Sequence, residues 1–148
     1  MTVASGTPAS LNRISSSSMR CSGGLIEGGL GGPASSGHRY VLRTDGFVSV
    51  NARHEGGEMI THPFEYDGSE LVLNYSTAAT GSIRVEIQDG DGAPVAGFGI
   101  GDCREIVGDA IEQTVSWLSG SDVSRLAGQP VRLRFVMRDG DLYSVRFR

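Results

Sequence analysis

No lysine occurs in this sequence; all 13 basic positions are arginine. That absence excludes Schiff-base chemistry and a lysine nucleophile, and a coding bias towards arginine accounts for it, since the two residues are near-equivalent on solvated surfaces. Cysteine is almost missing as well. Cys21 and Cys103 are the only two, too few for a disulfide framework or a thiolate zinc site. Tryptophan occurs once and proline five times. No apolar run approaches the roughly 20 residues that cross a bilayer, and Met1 to Ser10 is small and polar, without the apolar centre of a secretory leader. A net charge of −4 gives no general attraction to nucleic acid or to an anionic membrane.

What is present is glycine, 22 of 148 residues, and it is unevenly placed. Residues 1–37 combine Ser15-Ser16-Ser17-Ser18, Gly23-Gly24, Gly28-Gly29, Gly31-Gly32 and Pro33-Ala34-Ser35-Ser36-Gly37. Such a stretch buries too little apolar surface to offset its ordering entropy, so it reads as a flexible tail or linker. Leu25, Ile26 and Leu30 are the exceptions, able to dock as a short strand. A bridge between Cys21 in this tail and Cys103 is not expected. Residues 38–148 read as one domain.

From His38 onward apolar residues alternate with polar ones, the mark of half-buried strands. Val131, Leu133, Phe135 and Met137 share one face, with Arg132 and Arg134 on the other. Ile83, Val85 and Ile87 oppose Arg84, Glu86 and Gln88. Leu71, Leu73 and Tyr75 form a third inward set, and Tyr143, Val145 and Phe147 a fourth. Thr44-Asp45-Gly46 predicts a hairpin between residues 40–42 and 47–50. Asp67-Gly68, Asp89-Gly90-Asp91-Gly92 and Asp139-Gly140 mark further turns. Only Asp122 to Ala127 hints at a helical turn. About eight antiparallel strands are expected, in an all-β, two-sheet β-sandwich of the jelly-roll type; a partly closed barrel is the alternative.

Catalytic templates fail. There is no Gly-x-Ser-x-Gly elbow, and Cys103 has no evident histidine partner. Of His38, His54 and His62, the last two flank a Gly-Gly turn, but further metal ligands are missing. Glu55, Glu58, Glu65, Glu70, Glu86 and Glu112 offer carboxylate pairs for glycoside hydrolysis, yet no sequence feature marks a desolvated acid. Asp89-Gly90-Asp91-Gly92 resembles the start of a calcium loop without its closing glutamate, and Asp139 with Asp141 forms a similar small cluster. Tight turns explain both, with structural calcium the minority reading and no other cofactor expected.

The outward faces carry more chemistry. If the two strands share a sheet, Arg84, Glu86, Arg132 and Arg134 form a field of guanidinium and carboxylate groups, which hydrogen-bond sugar hydroxyls or acidic substituents; an ordinary solubilising face is the competing reading. Stacking on a sugar ring requires an exposed aromatic. Tyr66, beside Asp67-Gly68, is the candidate for exposure. Trp117 is the other, although its register with Val115 favours the core.

Residues 39–147 also resemble a known module. Arg39 to Val50, Gly57-Glu58 with Thr61 and Pro63, Leu71 to Ser76, Gly81 to Asp89, Asp102-Cys103, Val115 to Trp117, Ser121 to Val123 and Val131 to Phe147 are similar to the C-terminal β-sandwich of bacterial glycoside hydrolases of the family 32-like fructosidase and sialidase-like propeller type. In that family the propeller holds the catalytic acids, so the resemblance carries over no catalytic residue. It implies a non-catalytic accessory module, similar to a carbohydrate-binding module, in a secreted or cell-surface setting. The partner expected is an oligo- or polysaccharide, with acidic glycans included, held by Arg84, Glu86, Arg132 and Arg134 with Tyr66 or Trp117 stacking. The alternatives are a purely structural sandwich that packs on a catalytic domain or forms a homodimer, and, third, a small glycoside hydrolase.

Overall fold

A computed structural model describes residues 40–148. The expected tail at 1–37, with Cys21 and the Leu25–Leu30 docking segment, lies outside the described residues. The rest is all-β: β1 (Val50–Ala52), β2 (Gly57–Ile60), β3 (Leu71–Asp89), β4 (Asp109–Thr114) and β5 (Val131–Phe147), with one 3-10 turn at Ser124–Leu126. That turn falls where the sequence hinted at one.

Every pairing is antiparallel, in a five-stranded sheet ordered β1-β5-β3-β4, with β2 also on β5. β3 and β5 form its spine, paired from Leu71–Phe147 at one end to Asp89–Val131 at the other. Sequence patterning predicts two strands in each of these stretches, divided on β5 by a turn at Asp139-Gly140. The chain instead runs straight through, because residues on both sides of Asp139 pair with the same neighbour. The turn chemistry is used for a bulge. Thr77 faces Gly140 and Ser82 faces Arg138, so β3 fits Ala78 to Gly81 opposite the single residue Asp139. Asp139 adopts a left-handed φ of 44°, a conformation Asp tolerates better than most residues. Extra residues on one strand kink it and raise its twist.

A second irregularity lies where Asn74 faces Ser144 but Tyr75 faces Leu142, leaving Tyr143 as an extra residue on β5. Parity flips there. Leu142 is buried, Val145 and Phe147 are partly buried against the core, and Tyr143, predicted inward, lies outside the core cluster. The other inward sets are as the alternation requires: Ile83, Val85, Ile87, Leu133 and Phe135 are essentially inaccessible, with Val131 and Met137 nearly so.

The Asp45-Gly46 turn also forms, with Gly46 N–H donating to the Arg43 carbonyl at 2.9 Å, but no hairpin follows. Only Val50–Ala52 becomes a strand, and it pairs with β5, while residues 40–48 cross the sheet as a strap. At the far end of β3, Asp89 Oδ1 accepts the amides of Asp91 and Ala93, so the chain turns back and Val95 N–H reaches the Ile87 carbonyl. β4 carries no strand signal in the sequence, because Asp-Ala-Ile-Glu-Gln-Thr lacks a period-two pattern.

Candidate functional site

Glu86 faces Arg134 and Gln88 faces Arg132 across the β3–β5 ladder, and directly opposed residues project to one side of a sheet. Arg84, Glu86, Arg132 and Arg134 therefore share a face, as the sequence implies. The face is not a free field of charge. Arg134 donates to Glu58 Oε2 at 2.8 and 3.0 Å and to Glu86 Oε1 at 3.4 Å. Glu86 also accepts Gln88 Nε2 at 2.8 Å and the Ile100 amide at 3.0 Å, while Arg84 lies 3.6 Å from Glu105. Predicted to stand in solvent, Glu86 is only 3% exposed, because the segment around Ile100 reaches across this side. Burial alone pushes its carboxyl upward; the bonds from Gln88, Ile100 and Arg134 outweigh that and hold it below the ordinary glutamate value. A general acid needs the opposite shift. Arg132 stands apart: its Nε is buried without a partner among the described residues.

The two aromatic candidates do not join this face. Tyr66 is 8% exposed; its ring stacks on Phe147 with centroids 3.8 Å apart and its hydroxyl donates to the Val123 carbonyl at 2.6 Å. Burial, then Asp122, push its phenol up to about 12. Trp117, 1% exposed, donates its indole N–H to the Val85 carbonyl at 2.9 Å and packs edge-on against Phe98. Both rings are committed to the interior, since a ring beside a turn can fold back as readily as out.

A more open arrangement sits at the bulge. Asn51, Arg53, His54, Ser76, Thr77, Ala78, Asp139, Gly140 and Asp141 line a shallow cleft of about 500 Å³. Asn51, Asp141 and Ser76 stand side by side on β1, β5 and β3. Asp141 Oδ1 accepts Ser49 Oγ at 2.8 Å and Asn51 Nδ2 at 3.1 Å. Asp139 Oδ2 accepts Thr80 Oγ1 at 3.3 Å and lies 2.8 Å from His54 Nδ1. The His54 bond is the main cause of an Asp139 carboxyl below its usual value. His54 is thus tied to Asp139, with a side chain 77% exposed. Among the described residues no group of three or more His, Cys, Asp or Glu side chains gathers as a metal site. The sequence marks Asp139 and Asp141 as turn residues, with a calcium cluster the minority reading; their assembly with Asn51 and His54 depends on the β1–β5 register, which no local pattern encodes.

Comparison with protein-family models, with curated proteins and with solved structures returned no match. No helix among the described residues is long and apolar enough to cross a membrane.

Proposed function

We propose that the chain is a non-catalytic binding module for a polyhydroxylated ligand of the carbohydrate class, held in the cleft at the bulge. The observation carrying this reading is the cleft's inventory: two carboxylates, an amide, the Ser76 hydroxyl, an imidazole and a guanidinium around one opening, the Thr77 hydroxyl being taken up by the Gly108 backbone. Side chains with spare donors and acceptors in a shallow polar groove match the many hydroxyls of a sugar, and the open shape fits modest affinity. The site first expected, Arg84, Glu86, Arg132 and Arg134, is the second place for such a ligand, through the unpartnered Arg132 Nε. Arg84 and Arg134 there are paired with Glu105, Glu58 and Glu86, so neutral glycans fit this face better than acidic ones. In the same reading the kinked β3–β5 spine divides the sheet into two layers of a jelly roll. The resemblance to hydrolase accessory modules supports the substrate class and the secreted or cell-surface setting.

Glycan-array screening followed by calorimetry with the best binder tests the proposal. Asp141→Ala is expected to weaken binding roughly tenfold, the loss of a charged hydrogen-bond acceptor, with Arg132→Ala near parent affinity. Loss in Arg132→Ala alone moves the site to the arginine face. An array without binders removes the carbohydrate reading.

A second reading has its own observation. Tyr40, Val41, Leu42, Phe47 and Val48 are all exposed, five large apolar side chains within nine residues. Such a strip fits a module that packs on another protein surface or on a second copy, and sedimentation tests the second copy: concentration-dependent dimers in analytical ultracentrifugation, abolished by Phe47→Ser, favour this reading.

A further inference from the structure

The strap at residues 40–48 is built inside out. Val41 and Phe47 are 83% and 79% exposed, with Tyr40, Leu42 and Val48 also in solvent, whereas the arginine between them is the residue that enters the sheet. Arg43 Nε donates to Asn74 Oδ1 at 2.6 Å, Nη1 to Asp109 Oδ1 at 2.5 Å and Nη2 to the Tyr75 carbonyl at 2.9 Å. Its Cζ lies 4.8 Å from the centroid of the Tyr143 ring. Asn74 is 2% exposed, and its other amide atom, Nδ2, donates to the Thr44 carbonyl at 2.7 Å.

These partners come from three strands. Asn74 and Tyr75 belong to β3, Asp109 opens β4, and Tyr143 is the extra residue at the second irregularity of β5. Three acceptors placed around a planar fork, with an aromatic ring against it, are what selects a guanidinium over an ammonium. Adhesion of a docked strand ordinarily comes from apolar burial, and here the apolar side chains contribute little of it.

We propose that Asn74, the Tyr75 carbonyl, Asp109 and Tyr143 form a guanidinium-binding site that the chain's own Arg43 fills, and that the strap is a displaceable self-ligand. The ligand class is an arginine side chain or another alkylguanidinium. The site shares no residue with the cleft lining and does not depend on the carbohydrate reading.

Ethylguanidinium titrated into the full chain, followed by NMR of the Asn74 side-chain amide and the Tyr143 ring, provides the test. Arg43→Ala empties the site, so it is expected to bind ethylguanidinium at least about tenfold more tightly than the parent. Exchange of the Gly46 amide, bonded to the Arg43 carbonyl, is expected to quicken about tenfold in the same variant. Arg43→Lys keeps the charge without the fork; should Arg43→Ala fail to fold, the lysine variant carries the titration, with affinity above the parent's. Equal affinity in parent and variants, shifts scattered away from Asn74 and Tyr143, or unchanged Gly46 exchange in Arg43→Ala would overturn the proposal.

Discussion

Arg132 and Arg134 stand two positions apart on the same face of β5, yet their surroundings differ. Arg134 is forked between Glu58 and the buried Glu86. Arg132 has a buried Nε with no partner among the described residues. Removing Arg134 leaves the Glu86 carboxylate with Gln88 and the Ile100 amide alone, a partial loss because the Arg134 bond is long. Arg134→Ala is expected to destabilise by about 1–2 kcal/mol and Arg132→Ala by less than about 0.5, read as a shift of the urea midpoint at constant slope. A larger effect at Arg132 would show that its Nε has a partner in solution.

Tyr66 supplies a second test at this scale. Its folded-state phenol titrates near 12, above the value of about 10 in an unfolded chain. The neutral form is the one the fold holds, so its contribution is complete below pH 10 and is lost as pH rises towards 12. Absorbance titration of the tyrosines is expected to show one phenol ionising only near 12; Tyr66→Phe should remove that component.

At the scale of elements, the bulge opposite Asp139 is where local signals and the final fold diverge. The alternation on either side of Asp139-Gly140 is legible, and so are the inward residues it assigns. Whether the intervening Asp-Gly reverses the chain or kinks it depends on which strand pairs with each flank, and that is a long-range matter. The same limit explains Tyr143: the irregularity at Asp139 shifts the phase so that Leu142 is buried, and the one at Tyr143 restores it for Val145 and Phe147, so unbroken alternation puts Tyr143 on the wrong side. Alternation assigns Glu86 to the face it occupies, but the loop that covers it comes from Ile100, beyond the reach of strand patterning. Gly81 marks the bulge from the other side, since a Cβ there would run into the carbonyl oxygens of Arg138 and Asp139. Gly81→Ala is expected to cost about 2–4 kcal/mol, measured by chemical denaturation. A near-neutral outcome would mean that the strands separate there at no penalty.

For the whole molecule, the carboxylates set the acid limit. Glu86, Asp122 and Asp139 all sit below their ordinary values, for Asp122 chiefly through its bonds with Ser124. Folded values beneath unfolded ones mean that each adds stability above roughly pH 4, and that this is lost as pH falls through the folded values. Thermal midpoints are expected to be flat near neutrality and to drop on acidification below about pH 4.5. The drop should be smaller in Glu86→Gln, whose neutral amide does not titrate.

The spine described by β3 and β5 also governs how the chain reaches its fold. Asp89 is paired with Val131 and Leu71 with Phe147, so even the nearest rung joins residues separated by the whole of β4 and the 3-10 turn. No tight hairpin exists to nucleate this ladder. Its loop-closure entropy must be met before any rung is gained, which places refolding in the milliseconds-to-seconds regime of non-local β topologies.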